Sequence, residues 1–565
     1  MLKKSFKAVP DSKKVTEELP LVAAVDAEEL ESQGVEEVEA APLQCENCGC
    51  VLMDLSRLEP KGDDYEFTCE FCLTRNSAPA SRVKPLLERP VESLEPSSPD
   101  KPKDQRDLFF VLERIKKGKE EADEVVGKKA APSGESFVAC IDVSGSMAGG
   151  KLEAVKHSLV QTIRDLKVNA ENTRFALVTF ESAVEAYVTP NDPFAVPEGD
   201  DVYSKRRLLK LAKKILKKVG PPKEVKEFGD AWVKRVSGLR DLGTTALGPA
   251  AVISLELAKA AAGTGGKVFL LTDGLANVGV GRVEGASERN ARAFYEELGK
   301  DARSAGVVFD VVGVQVTGGG NALALNVVGL LSDLTGGEMF FISPEDVERA
   351  FGSATTRRYV ARETVMRVFT PREIALAGVT GTWVEEEVTG KPGQPLHLGS
   401  LTPDREVFLK FKFVGGKAPK RGQRVPFQVQ VEYVDANGDR KVRVARHEVE
   451  VTGDEEEYKR QLDYSLVANA TLQEASQDYA KNAADEARAK VRALKGKLEA
   501  IAGAGVPSPA LTESIGLLED EEKEWDAAEE EIQATGVADA KSFRAARMQT
   551  LYRMGSKGRA KRRKK

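Results

Sequence analysis

Between residues 136 and 359, short apolar runs alternate with helical patterns, and this alternation constrains the fold of the chain more than any other feature. The apolar runs have the length of strands and are bounded by turn residues: 137–143, 175–180, 267–271, 307–314 and 338–342. The stretches between them have a helical period: 151–166, 246–262, 286–305, 325–334 and 344–356. Continuous apolar strands separated by helices are typical of a parallel sheet covered on both faces. The sequence therefore predicts a doubly wound α/β domain over residues 136–360, with one antiparallel edge hairpin over residues 172–189.

The period of the apolar residues changes after this domain. In residues 361–452 apolar and polar side chains alternate, and Asn437-Gly438 lies between two such runs, which predicts an antiparallel β-sandwich. Residues 453–552 are rich in Ala, Glu and Lys with a helical period, and the pattern breaks near Gly503. This segment predicts a C-terminal helical hairpin or bundle.

The remaining segments lack the periodicity of packed elements, so we expect tails and a linker there. They are a disordered acidic tail over residues 1–44, a linker over residues 77–135 with a charged lead-in helix at 108–129, and a basic tail over residues 553–565. Residues 45–76 form a separate cysteine module. The predicted fold class is multidomain α/β, with a zinc ribbon, a doubly wound parallel sheet, an antiparallel β-sandwich and a C-terminal helical domain.

Length, charge and cysteine usage restrict the class of protein. At 565 residues and a formal net charge of −6, we expect several domains and no binding of nucleic acid through overall charge. No apolar run reaches the ~18–20 residues of a membrane span, and no secretory leader follows Met1. Four of the six cysteines lie in Cys-x-x-Cys pairs, which is typical of a reducing compartment. We expect a cytoplasmic protein without a transmembrane segment, although the basic tail is also typical of a nuclear-import signal.

The cysteine module has the spacing of a metal site. Two Cys-x-x-Cys pairs are separated by twenty residues: Cys45 and Cys48, then Cys69 and Cys72. Four thiolates in this arrangement are typical of a closed, tetrahedral structural Zn²⁺ site. Cys50 is a spare thiol, poorly spaced to serve beside its neighbour, and Cys140 lies in an apolar run and is expected in the core.

An Asp-x-Ser-x-Ser motif stands where the first strand of the α/β domain ends: Asp142, Ser144 and Ser146. Open α/β sheets bind ligands at this edge, outside the carboxyl ends of the strands. A later apolar run ends at Asp273, and residues 243–248 form a Gly–Thr loop that opens a helix. Oxygen ligands that converge on one edge suit Mg²⁺, so these segments predict a cation site.

Together these motifs resemble the von Willebrand factor A (VWA) family, whose metal-ion-dependent adhesion site (MIDAS) consists of Asp-x-Ser-x-Ser, a later Thr and a later Asp. The resemblance implies that Mg²⁺, or Ca²⁺ or Mn²⁺ in its place, is held by five side chains: Asp142, Ser144, Ser146, Thr245 and Asp273. An acidic residue of a protein partner would fill the open coordination position. The family loop usually reads Gly-Gly-Thr, whereas this chain has Gly243-Thr244-Thr245, so Thr244 remains the alternative ligand to Thr245.

A nucleotide site is a second interpretation of the same region, because residues 145–151 match the Gly-x4-Gly-Lys of a P-loop. However, Leu152 stands where that motif needs a hydroxyl ligand for Mg²⁺, and a P-loop does not account for Asp142 or Thr245. Of three histidines only His157 is nearby in sequence, and no nucleophile–base pair is evident. We therefore expect a non-enzymatic protein, with an NTPase or a partner of a chelatase-like ATPase as a lower-ranked alternative.

The second Cys-x-x-Cys pair and the order of the domains resemble the COPII coat subunits (Sec23/Sec24-like), in which a zinc ribbon, an A-type trunk, a β-sandwich and a helical domain follow one another. This chain shows no gelsolin-like domain after the helices and keeps a full MIDAS motif, which the coat trunks lack. The resemblance implies a coat-like trafficking or assembly component as an alternative function. Our first hypothesis remains a scaffold that binds an acidic residue of a partner through Mg²⁺.

Residues 203–219 carry eight Lys and Arg residues and no acidic residue. An apolar stripe runs through them at helical spacing: Leu208, Leu211, Ile215 and Val219. A surface helix docked by this stripe is the simpler interpretation. The alternative is a contact for an acidic membrane or an acidic protein partner.

Overall fold

The first residues of the chain are folded. The computed structural model describes residues 1–31, 37–38, 41–53, 57–87, 105–113, 135–196, 199–261, 265–283, 288–315, 324–382, 387–414, 419–480, 483–504, 509–535, 540–556 and 559. Its first segment contains β1 (Leu2–Lys4), β2 (Ala8–Pro10), α1 (Lys13–Glu18) and β3 (Leu21–Asp26). The prediction of a disordered tail over residues 1–44 is wrong for residues 1–31, because the apolar residues of β3 are fully buried in a sheet, which outweighs the acidic composition around them.

The cysteine module is a small antiparallel sheet with a helix and a strand after it. Residues 37–113 contain β4 (Glu37–Val38), β5 (Glu59–Lys61), β6 (Asp64–Thr68), β7 (Arg75–Ala78), α2 (Ala80–Leu87) and β8 (Gln105–Glu113). β5, β6 and β7 pair antiparallel. The predicted lead-in helix is wrong at residues 108–113, which lie in β8, because Phe109, Phe110 and Val111 favour a pleated, half-buried surface. Residues 114–134 lie outside the described part of the chain.

The predicted doubly wound domain is present. Its elements are β9 (Ser136–Asp142), α3 (Lys151–Asn169), β10 (Arg174–Phe180), β11 (Val184–Tyr187), β12 (Pro193–Val196), α4 (Lys205–Val219), β13 (Lys223–Glu224), α5 (Val225–Ser237), α6 (Leu247–Ala261), β14 (Gly266–Thr272), α7 (Glu288–Ser304), β15 (Val307–Val314), α8 (Leu325–Val328), α9 (Leu330–Thr335), β16 (Met339–Ile342) and α10 (Val347–Thr356). The strand order is β12-β11-β10-β9-β14-β15-β16, with β13 paired to β10. The five strands from β10 to β16 run parallel, and β11 forms the expected antiparallel hairpin with β10.

Side chains of the central strand β9 alternate between two cores, as the pleat requires. Val138 and Cys140 belong to the core under α4, α6 and α7, whereas Phe137 and Ile141 belong to the core under α3, α5 and α10. The expectation that Cys140 is a core residue is confirmed, since it is fully buried. Because helices cover both faces, ligands reach this sheet at the ends of its strands.

Two sheets share one core and form the predicted β-sandwich, and their pairings are antiparallel except for β2 on β22 and β4 on β8, which are parallel. Their further strands are β17 (Ala361–Phe369), β18 (Ile374–Thr380), β19 (Leu396–Leu401), β20 (Glu406–Phe413), β21 (Arg424–Val434) and β22 (Arg440–Thr452). One sheet has the order β1-β3-β20-β18, and the other β19-β17-β21-β22-β8-β4 with β2 on β22. The predicted turn at Asn437-Gly438 joins β21 to β22. Strands from before the parallel domain therefore complete a sandwich whose remaining strands come after it.

Helices form the C-terminal part, as predicted. They are α11 (Glu455–Gln461), α12 (Tyr464–Ala480), α13 (Ala484–Gly503), α14 (Pro509–Thr535) and α15 (Ala540–Arg553). α15 reaches the edge of the parallel sheet, where Gln549 Oε1 accepts a hydrogen bond from the Met339 N–H at 2.6 Å. Among the helices of the described residues, none is long and apolar enough to cross a membrane.

Candidate metal centres

The carboxyl ends of β9 and β14 lie side by side at one edge of the parallel sheet. β9 ends at Asp142, and its parallel neighbour β14 ends at Thr272, directly before Asp273. Both aspartates are buried at this edge. After β9 the chain forms a 3-10 turn at Gly145–Met147, which keeps the serines of the motif close to the strand end.

A series of hydrogen bonds links the two aspartates. The Ser146 hydroxyl donates to Asp273 Oδ1 at 2.6 Å and lies 3.0 Å from the Ser144 hydroxyl. The Ser144 N–H donates to Asp142 Oδ1 at 2.8 Å, and the Thr272 hydroxyl donates to Asp142 Oδ2 at 2.5 Å. Four of the five side chains predicted to bind a cation are thus brought together, and Thr272 joins them without having been indicated by the sequence motif.

Of the two adjacent threonines, Thr245 faces this edge. It is buried, and a Cβ atom added to Gly274 would lie 3.8 Å from the Thr245 hydroxyl and 3.6 Å from that of Ser146. Thr244 is exposed, and its hydroxyl hydrogen-bonds Ser182 at 3.0 Å. This placement favours Thr245 as the fifth oxygen donor.

A lysine also enters the group. Lys151 is the first residue of α3, its ammonium lies 2.5 Å from Asp273 Oδ2, and it donates to the carbonyl oxygen of Ser146 at 3.0 Å. The sequence indicates Lys151 only as the last residue of a P-loop-like motif. In the structure its charge is directed at a carboxylate of the sheet edge, and the neighbouring Leu152 is buried in the core.

The charges at this edge favour a cation. Burial raises the pKa of Asp142 to about 6, and the charge of Asp273 acts in the same direction, while hydrogen bonds from Ser144 and Thr272 oppose the rise. The ionised form of Asp142 is therefore disfavoured unless a positive charge is near. Two carboxylates and three hydroxyls are the hard oxygen donors that Mg²⁺, Ca²⁺ and Mn²⁺ take, so the residues present fit such an ion.

The four cysteines predicted to bind zinc converge on one point. Their Sγ atoms all lie within 4.8 Å of one another, with Cys45 and Cys72 at 3.4 Å and Cys48 and Cys69 at 3.6 Å. None of the four is in a disulfide. Sulfur atoms at this spacing can surround one Zn²⁺ at its Zn–S distance of about 2.3 Å, so the donor set fits a structural zinc ion.

Cys50 is not a member of this group. Its Sγ donates to the Val51 carbonyl oxygen at 3.4 Å. The nearby thiols of Cys48 and Cys69, together with burial, raise the pKa of Cys50. Its position outside the four converging Sγ atoms agrees with its description as a spare.

The basic segment forms α4, with one buried and one exposed face. Leu208 and Ile215 are buried against the α/β core, as expected for the docking stripe. Lys205 pairs with Glu297 at 2.7 Å and Asp301 at 2.8 Å on α7. The other basic side chains of the helix are exposed: Arg206, Arg207, Lys210, Lys213, Lys214, Lys217 and Lys218.

Comparison with known proteins confirms the predicted layout and fold class. Residues 132–345 match the family model described as the Sec23/Sec24 trunk domain. The human COPII-coat protein Sec24c has a similar fold, with a TM-score of 0.65 and 16% identity over 98% of this chain and 75% of Sec24c. A von Willebrand factor type A protein from Catenulispora acidiphila aligns at 16% identity over 74% of this chain and 89% of its own, with a TM-score of 0.45.

One curated relative is similar in sequence. The Circularly permutated Ras protein 1 of Dictyostelium discoideum is 24% identical over 456 residues, which is 76% of this chain. The chain spans only about half of that relative, 51% of its length.

Proposed function

We propose that this chain, which has the layout of a Sec23-like protein with a VWA domain at its centre, is a non-enzymatic scaffold that binds a protein partner through a divalent cation. The convergence of two carboxylates and three hydroxyls at one sheet edge supports this proposal. Mg²⁺, with Ca²⁺ or Mn²⁺ as alternatives, would be held by Asp142, Ser144, Ser146, Thr245 and Asp273. An acidic side chain of the partner would complete the coordination through a charge-assisted contact.

The surroundings of the site favour binding over catalysis. Lys151 is engaged by Asp273, and Leu152 is a buried apolar residue, so the loop lacks both a free lysine and a hydroxyl for a nucleotide. His157 is exposed on α3, outside the hydrogen bonds that link the aspartates. We therefore propose neither an NTPase nor another hydrolase.

Titration of the metal-free protein with Mg²⁺ tests the proposal, with two neighbouring threonines as a matched pair. Thr245→Ala should weaken Mg²⁺ binding about tenfold or more, the scale on which metal-site substitutions act. Thr244→Ala should leave the affinity unchanged, because its hydroxyl bonds to Ser182. If calorimetry finds no Mg²⁺, Ca²⁺ or Mn²⁺ bound to the wild type, the proposal is wrong; if Thr244→Ala alone weakens binding, the ligand is misassigned.

A coat-like assembly component is the second candidate function. The exposed basic face of α4 favours it, and the human protein of similar fold is named a COPII-coat protein. Contacts made through α4 would weaken with rising salt and survive EDTA, because they depend on exposed charges and not on a metal. Binding through the cation would instead be lost in EDTA and restored by Mg²⁺, so capture of partners under both conditions distinguishes the two functions.

We also propose that the cysteine module holds one structural Zn²⁺, which would contribute folding energy to a segment too small for a large core of its own. Metal analysis of the purified chain should find one zinc ion. The double substitution Cys69→Ser with Cys72→Ser should abolish it, whereas Cys50→Ser should retain it. Absence of zinc in the wild type, or its loss in Cys50→Ser alone, would contradict the assignment.

A further inference from the structure

Asp273 meets a positive charge that the chain itself supplies. Its side chain is 0% exposed, and its two oxygens contact the Ser146 hydroxyl and the Lys151 ammonium. The lysine side chain is 16% exposed, and its ammonium is also held by the carbonyl oxygen of Ser146. Lys151 therefore lies among the oxygen donors of the candidate cation site, although no metal-binding motif includes it.

We propose that Lys151 is a tethered cation of this site, an inference that rests on the proposed function. In the metal-free protein it neutralises Asp273, which would otherwise be a buried carboxylate without a partner of opposite charge. Its long, flexible stem allows the ammonium to withdraw from Asp273 while α3 stays anchored by Leu152 and Val155 in the core.

The lysine also decides the charge of the loaded site. Asp142 and Asp273 bring two negative charges and Lys151 one positive charge, so a dication leaves the group with one net positive charge. Without the lysine, the dication and the two carboxylates would cancel. Lys151 thus lowers the affinity for the metal and raises the preference of the loaded site for an anionic ligand, such as the carboxylate of an acidic partner residue.

Calorimetric titration of the metal-free full chain with Mg²⁺ tests this role. Lys151→Met should bind Mg²⁺ about tenfold more tightly than the wild type, because the competing charge is gone. Lys156→Met removes a charge from the same helix, where Lys156 pairs with Glu153, and should leave the affinity unchanged. Lys151→Gln keeps a hydrogen-bond donor for Asp273 and gives the same comparison if the methionine variant fails to fold.

Acetate serves as the probe for an acidic side chain. Binding couplings are reciprocal, so acetate that completes the coordination should tighten Mg²⁺ binding, and it should do so more in the wild type than in Lys151→Met at equal ionic strength. If both Lys151 variants bind Mg²⁺ as tightly as the wild type or more weakly, the role of Lys151 is purely structural and the inference is overturned. Binding of Mg²⁺ by the variants but not by the wild type would support it while contradicting the proposed function, and binding by neither would overturn both.

Discussion

The negative charges of Asp142 and Asp273, which share one sheet edge, are compensated in different ways. Asp273 is paired with Lys151, whereas Asp142 accepts hydrogen bonds from Ser144 and Thr272 and forms no ion pair with a basic side chain in the part of the chain that the structure describes. Burial accordingly raises the pKa of Asp142. The uncompensated negative charge of the metal-free site is therefore concentrated on Asp142.

Replacing this carboxylate should stabilise the metal-free protein. Asp142→Asn removes a buried charge without leaving a cavity, so the free energy of unfolding in EDTA should rise by about 1 kcal/mol at neutral pH. The added stability that Mg²⁺ gives the wild type, RT ln(1 + [L]/Kd), should disappear in the variant. Thermal unfolding with EDTA and with Mg²⁺ measures both effects.

Asp165 is exposed on α3, and Asp165→Asn is the control. It should leave the unfolding temperature unchanged both in EDTA and in Mg²⁺. If Asp142→Asn unfolds during purification, Asp142 is a structural cap of the turn. If Mg²⁺ stabilises Asp142→Asn as much as it stabilises the wild type, the cation binds elsewhere.

The Asp-x-Ser-x-Ser spacing, the later strand that ends at Asp273 and the resemblance to the VWA family together predicted which side chains meet, because a strand end followed by a tight turn leaves few arrangements for them. It could not predict Lys151, whose contact with Asp273 depends on the direction of a flexible side chain. Nor could it decide between Thr244 and Thr245, since that choice depends on a hydrogen bond that the Thr244 hydroxyl donates to Ser182, sixty-two residues away.

At the scale of elements, β3 lies in the β-sandwich, most of whose strands are far from it in sequence. It pairs antiparallel with β1 on one side and with β20 on the other, and its Val25 is fully buried opposite Val407. Its loss would expose an edge of the sandwich and part of its core.

Shortening a buried side chain of β3 should therefore lower the free energy of unfolding. Val25→Ala removes buried methyl groups and should lower the free energy of unfolding by about 2 kcal/mol. Lys7→Ala, at an exposed position of the same segment, should be neutral. Thermal unfolding compares the two variants, and equal temperatures of unfolding would mean that the N-terminal segment does not contribute to the fold.

The pattern of apolar residues predicted the five parallel strands of the central domain, because they are nearly continuous apolar runs. The same method failed for β3 and β8, which lie in segments with a strongly charged composition. The charged residues that follow Leu108 and Phe109 predict a helix there. In the structure, however, β8 pairs with β22, which lies more than three hundred residues later in the chain. Pairing over such a distance leaves no local signal.

At the scale of the molecule, ion pairs connect the sandwich to the helices. Glu474 on α12 lies 3.1 Å from Lys410 on β20 and 2.6 Å from Lys490 on α13. Burial alone would raise the pKa of Glu474, but the two lysines outweigh it, and the pKa is lowered from 4.5. The ionised carboxylate therefore stabilises this junction.

The sign of the pH dependence follows from this lowered pKa. The stabilisation is fully present above the unfolded-state pKa of 4.5 and is lost as the pH falls through the lower folded-state pKa. Glu474→Gln should reduce the free energy of unfolding by about 1 kcal/mol at neutral pH, and the difference from the wild type should shrink below pH 4.5. Glu486→Gln, exposed on α13, is the control, and denaturant unfolding at both pH values is the measurement. A difference that grows in acid would contradict the assigned ion pairs.

The pairing of β3 with β20 also has a consequence for synthesis on the ribosome. Lys3 and Glu406, whose side chains lie 2.9 Å apart, are separated by 403 residues. At about 5–20 residues per second, some tens of seconds pass between the translation of these two positions. The parallel domain can fold in that interval, because its strands lie close together in the chain, whereas β3 has β1 beside it but not yet β20. The segment that contains β3 therefore remains without β20 during this interval, and it is the segment for which we expect chaperones to compete.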